Sequence, residues 1–74
     1  MALITVKLIE GRSTPAQKVQ IAERLTDAMV SVEGDAMRSV TWCVIEEVTS
    51  GDWAIGGEQL TSEMVQALAA GQTT

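Results

Sequence analysis

The sequence predicts an α/β fold, a short β-α-β subunit with parallel strands that assembles with further copies of itself. Three observations predict it. Two apolar, β-branched runs flank one amphipathic segment, the pattern of strand, helix and strand. The amphipathic segment opens on a strong helix-start signal. Finally, the chain has 74 residues, 46% of them hydrophobic, yet a chain this short buries only about 60% of the surface its unfolded form exposes. Domains of this size are stabilised by disulfides, a metal or oligomerisation. Cys43 is the only cysteine and there is no histidine, which removes a disulfide and leaves zinc only carboxylate ligands. Oligomerisation remains.

Residues 3 to 9 read as the first strand. Leu3, Thr5, Lys7 and Ile9 share one face, and Ile4, Val6 and Leu8 make the other wholly apolar. Glu10, Gly11 and Arg12 break the pattern. In Ser13-Thr14-Pro15-Ala16-Gln17, Thr14 suits the N-cap, Pro15 the first helical position and Gln17 the reciprocal half of a capping box. The helix is expected to run to about Val32, with an apolar stripe of Ile21, Ala22, Leu25, Ala28, Met29 and Val32. Gly34 is its natural stop. Residues 40 to 48 read as the second strand, with Val40, Trp42 and Val44 on one face and Thr41, Cys43 and Ile45 on the other. One helix covers one face of a two-stranded sheet, so the other face needs a partner, most simply a second copy. The crossover between the strands is expected to be right-handed. Ser50-Gly51-Asp52 signals a turn. Trp53-Ala54-Ile55-Gly56-Gly57 is a short apolar segment ending in a glycine pair. Thr61 or Ser62 then caps a short helix through Met64, Val65 and Leu68, and residues 71 to 74 read as a frayed tail. No repeat or linker interrupts residues 1–74, which read as a single domain.

The composition also excludes function classes. The net charge is −5 with no basic cluster, which disfavours nucleic acid because phosphate binding relies on Lys and Arg. No segment approaches the ~18 apolar residues of a membrane span, and no signal peptide is visible. With one free thiol, the expectation is a soluble, cytoplasmic protein.

Three pieces at informative spacing carry a resemblance: a strand leading into Ile9-Glu10-Gly11-Arg12-Ser13, a capped helix, and Glu47 followed by Trp53-Ala54-Ile55-Gly56-Gly57. Over residues 2 to 57 this resembles the 4-oxalocrotonate tautomerase family, whose short subunits run strand, Leu-Glu-Gly-Arg, helix, strand, and an aromatic before a Gly-Ile-Gly-Gly hairpin. The resemblance implies a β-α-β subunit with a C-terminal hairpin, dimers whose sheets join, and usually a hexamer built as a trimer of dimers. It implies enol–keto tautomerisation of small 2-hydroxy or 2-oxo acids without cofactor or metal. An amino-terminal proline is the family's general base, its pKa lowered by an apolar pocket. Arginines hold the substrate carboxylate, and an aromatic near the hairpin walls the pocket.

Carried over residue by residue, Arg12 is the expected carboxylate ligand, since a guanidinium offers a planar fork to a carboxylate. A solvated loop arginine is its plainer reading. Trp53 matches the pocket aromatic, and an interface anchor is the compatible alternative. Gly56 and Gly57 match the hairpin glycines, and Glu47 matches a polar position after the strand. Two positions depart from the pattern. Ala2 stands where the proline belongs; after removal of Met1 its α-amino group would be the base, and a retained Met1 would displace that amine by roughly 3.3–3.6 Å. The second family arginine falls near Thr41 or Trp42, neither of them Arg; Arg38 is the nearest substitute, with a solvated charge as its simpler reading. Cys43 reads as a small core residue. Glu46 and Glu47, adjacent on a strand, do not form a catalytic carboxylate pair.

The expected function is therefore tautomerisation by an N-terminal amine, weakened by the loss of proline. The alternative is a non-catalytic member of this fold that binds a small acid, or one that serves as a subunit of a mixed oligomer whose partner supplies the proline and the missing arginine.

Overall fold

The computed structural model describes residues 1 to 71. In chain order these form strand β1 (Ala2–Ile9), helix α1 (Pro15–Glu33), a 3-10 helix (Asp35–Val40), strand β2 (Thr41–Val48), strands β3 (Trp53–Ile55) and β4 (Glu58–Leu60), and helix α2 (Ser62–Gly71). β1 hydrogen-bonds to β2 in one two-stranded sheet, and β3 to β4 in another. The strand–helix–strand order expected of a β-α-β subunit is present. The chain divides into two compact units, one of residues 1–6 and 14–46, the other of residues 7–13 and the chain from Glu47 onward.

In the first unit α1 begins as its sequence dictates. Thr14 Oγ1 accepts from the Gln17 amide at 3.1 Å, and Gln17 Oε1 accepts from the Thr14 amide at 2.9 Å. Two N–H groups of the open first turn are thereby satisfied, and Pro15 sits where its missing N–H costs nothing. The helix ends at Glu33, where the Gly34 amide donates to the Val30 carbonyl at 2.8 Å.

The inward face of α1 differs from the expected stripe. Lys18, Ile21, Ala22, Leu25, Thr26 and Met29 are half-buried and Val30 is 6% exposed, whereas Ala28 is exposed and Val32 is 85% exposed. The face thus turns through Thr26 and Val30 and leaves Val32 on the outer side. A second correction concerns Val40. It closes the 3-10 helix rather than opening β2, and the Thr41 hydroxyl ties that turn off by donating to the Met37 carbonyl at 2.8 Å.

β1 and β2 alternate as strands with one covered face do. Ile4, Val6 and Leu8 on β1, and Cys43 and Ile45 on β2, are half-buried; Leu3, Trp42 and Val44 face outward and are 64%, 58% and 40% exposed. Cys43 is thus a half-buried strand residue with a free thiol. Only Ile9 and Val30 fall below a tenth exposed among the hydrophobic residues described.

In the second unit β3 and β4 form an antiparallel hairpin that pairs Trp53 with Leu60, Ala54 with Gln59 and Ile55 with Glu58. Gly56 and Gly57 are its two-residue loop, with φ of +59° and +87°. That doubly left-handed turn matches the twist of paired strands and suits glycine. Thr61 caps α2, its Oγ1 accepting from the Met64 amide at 3.2 Å. Gly71 is the last residue of α2 rather than the start of a tail; the rest of the expected tail, 72 to 74, lies outside the described residues. Among the described residues no helix is long and apolar enough to cross a membrane.

The observed register of α1 yields a paired test. Val30→Ala is expected to lower stability by about 1–3 kcal/mol, from lost transfer energy and the cavity left behind. Val32→Ala is expected to change it by less than about 0.5 kcal/mol. Urea unfolding midpoints compare the two directly, and a larger loss for Val32→Ala would refute the register.

Candidate functional site

The Glu10-Gly11-Arg12 segment follows β1 and is fixed by residues distant in sequence. Glu10 is held at three points. Its amide donates to the Val48 carbonyl at 2.8 Å, its Oε1 accepts from the Ser50 amide at 3.0 Å, and its carbonyl accepts from the Ser62 hydroxyl at 2.5 Å. Glu47 Oε2 accepts from the Gly11 amide at 3.1 Å. Ser62 is itself tied down, its amide donating to Ser50 Oγ at 2.9 Å. Gly11 adopts φ +77°, and a Cβ there would lie 3.9 Å from Ser62 Oγ; the conformation, more than the space, favours glycine. Charge-assisted bonds donated by backbone amides to carboxylates are the stronger kind, and two of them hold the residues immediately before Arg12.

Arg12 emerges from this segment half-buried and lines a cavity of about 320 Å³. Ile9, Trp53, Ile55, Leu60 and Val65 form its apolar wall, and Leu8 and Lys7 complete it. The hairpin register explains two of these: Trp53 and Leu60 are directly paired across β3 and β4. Arg12 and Trp53, the two site residues that the sequence suggested most directly, thus share one cavity. The wall is carbon almost throughout, the setting in which a single guanidinium interacts most strongly with an anion.

Ala2 lines a second cavity, of about 270 Å³, within the first unit, together with Met1, Leu3 and Trp42. Its surroundings are apolar. Arg38, the suggested substitute for a second arginine, is engaged by acids of its own unit. Its Nη1 lies 2.8 Å from Asp27 Oδ1 and its Nε 3.5 Å from Asp35 Oδ1, with the side chain about half exposed. The hydrogen bond that Arg38 donates to Asp27 raises the guanidinium pKa above its ordinary value, with Asp35 adding to the effect and desolvation opposing it. This geometry matches the solvated ion pair among the two readings of Arg38. Among the described residues no group of three or more His, Cys, Asp or Glu side chains is placed to hold a metal ion.

Several residues of the site were not singled out in advance. Glu10 read as a pattern break within the motif around Arg12, Ser50 as part of a turn and Ser62 as a helix start, none with a role of its own; their mutual bonds span 40 and 52 residues of sequence. Leu60 and Val65 carried no signal beyond hydrophobicity, although the hairpin implied by Gly56-Gly57 could have placed Leu60 opposite Trp53.

The strand–helix–strand order, the Arg12 turn and the aromatic-bearing hairpin together define a tautomerase-type subunit. A family model described as Tautomerase enzyme matches residues 3–63. A curated relative, Probable tautomerase K2 of Dickeya dadantii, is 30% identical over 67 residues, covering 90% of this chain and 98% of its own. Two solved structures superpose with a TM-score of 0.70. One is DmpI from Helicobacter pylori, 33% identical over 78% of this chain and 94% of its own. The other is TomN, a 4-oxalocrotonate tautomerase homologue of the tomaymycin biosynthetic pathway, 30% identical over 90% of this chain and 94% of its own. The chain belongs to the tautomerase family.

The anchoring of the Arg12 segment makes a testable claim. In Glu47→Ala the Gly11 amide loses its acceptor and is expected to exchange with solvent about tenfold faster, the effect of a bond worth roughly 1–1.5 kcal/mol. Glu47→Gln, which retains an acceptor oxygen, is expected to fall between. Unchanged exchange of Gly11 in Glu47→Ala, followed by NMR, would show that the carboxylate does not hold the segment.

Proposed function

We propose that this chain catalyses the enol–keto tautomerisation of small 2-hydroxy and 2-oxo acids, with Arg12 as the carboxylate ligand and Trp53 as part of the pocket wall. The observation that carries the reading is the placement of both side chains on one apolar cavity in a member of the tautomerase family. A guanidinium binds carboxylate in a bidentate fork, and the neighbouring carbon wall offers the acid's tail apolar contact. The base is the α-amino group of Ala2, exposed by removal of Met1; Ala2 lines the second cavity and not that of Arg12, so the reading requires the assembled oligomer to bring an amine to the bound acid. It takes the proton of the enol hydroxyl, the electron pair of that O–H bond becomes the carbonyl π bond, and the C=C π pair forms the new C–H bond with a proton returned by the resulting ammonium. Nothing is oxidised or reduced, so the step consumes no redox partner. An alanine amine lacks the ring of proline, and a slower reaction is expected.

The working form is a homo-oligomer, a hexamer by resemblance to the family, residues 1–74 acting as one domain of each subunit. Support comes from the outward faces of β1 and β2, where Leu3, Trp42 and Val44 stand exposed. Contiguous exposed apolar surface of this kind marks an interaction surface.

Ultraviolet absorbance follows ketonisation of 2-hydroxymuconate and of phenylenolpyruvate, on protein whose intact mass reports the state of Met1. The reading predicts turnover above the buffer rate when Met1 is absent. Arg12→Ala is expected to lower kcat/KM at least about tenfold, the value of a charged hydrogen bond of 1.5–3 kcal/mol. Background rates for both enols with Met1 shown to be absent would refute it and leave a subunit that binds acids without turning them over.

A further inference from the structure

We infer that the Arg12 cavity selects one-headed carboxylic acids with a flat apolar tail, typified by aryl-substituted 2-hydroxy and 2-oxo acids, over short dicarboxylates. The inference deepens the proposed function and rests on its assignment of Arg12, but it concerns binding and not turnover. At about 320 Å³ the cavity lies at the small end of the range for ligand pockets, roughly 300–1,000 Å³, and admits one small acid. Arg12 accounts for one carboxylate. Beyond it the acid meets Ile9, Trp53, Ile55, Leu60 and Val65, none of which carries a charge to pair with a second anion, the Trp53 indole N–H being their one side-chain donor. A carboxylate desolvated against such a wall loses its hydration without compensation. An aryl tail gains from the same wall through apolar burial, with a further ~0.5–1.5 kcal/mol where it stacks on the Trp53 indole.

Among the described residues Lys7 is the other cation that lines the cavity. It lies on the exposed face of β1 and has a polar or electrostatic interaction of its own within the protein. The cavity wall itself remains carbon, and the contribution of Lys7 is separable by substitution.

Two unreactive acids of similar length, 3-phenylpropionate and adipate, probe the site by calorimetric titration of the full chain. Phenylpropionate is expected to bind at least about tenfold more tightly than adipate. Arg12→Ala is expected to weaken phenylpropionate at least about tenfold. Ile55 is 64% exposed, so Ile55→Lys can be introduced without emptying a core; a second cation there is expected to narrow or reverse the preference. Equal or tighter binding of adipate, phenylpropionate binding indifferent to Arg12→Ala, or no binding of either acid would overturn the inference; should Arg12→Ala fail to fold, the wild-type ratio decides it. Aryl-acid binding without turnover of any enol would remove the tautomerase reading and leave this one standing. Turnover with tighter adipate binding would do the reverse.

Discussion

The constraint on which the rest depends is a shortage of interior. One nineteen-residue helix and two pairs of strands leave Ile9 and Val30 as the hydrophobic residues that come closest to full burial among those described. Burial of apolar surface contributes about 25 cal/mol per Å², and chain entropy opposes it with 1–2 kcal/mol for every residue ordered. A subunit that keeps Leu3, Trp42, Val44, Val19 and Leu68 substantially exposed forgoes much of the available stabilisation. Copies of the chain are the cover we propose, because the exposed side of the sheet carries Leu3, Trp42 and Val44 beside the charges of Lys7 and Glu46.

Given so little core, local order at the site depends on polar anchoring. Glu10, Glu47, Ser50 and Ser62 bond to one another's segments across the second unit. Each bond is worth only about 0.5–1.5 kcal/mol net, yet together they fix the backbone on either side of Gly11 and so the origin of the Arg12 side chain. The same unit contributes the Trp53–Leu60 pair. Cation and apolar wall are therefore set by one compact group of residues, and the chemistry we propose for Arg12 follows from that shared support.

Much of this was legible in the sequence because the signals were local. Thr14, Pro15 and Gln17 specify their cap within four residues, and Gly56-Gly57 specifies its turn within two. Arg12 and Trp53 were legible through the order and spacing of motifs. The phase of α1 was less so: Thr26 and Lys18 occupy its inner face although neither is apolar, so counting hydrophobic residues drew the stripe toward Val32. The 3-10 helix was hidden because Val40 reads as strand by propensity, while the turn is closed by the Thr41 hydroxyl on Met37. The anchors of Glu10 were invisible for a different reason: they join residues brought together only by folding. Arg38 was ambiguous until Asp27, eleven positions earlier, was seen to hold it.

The central claim, that the apolar faces of this subunit are completed by further copies, is tested most directly by sedimentation velocity combined with urea unfolding at several protein concentrations. The account predicts one species several times the 7.9 kDa subunit at micromolar concentration, with an unfolding midpoint that rises as protein is added. A 7.9 kDa monomer that unfolds cooperatively at a midpoint independent of concentration would contradict it.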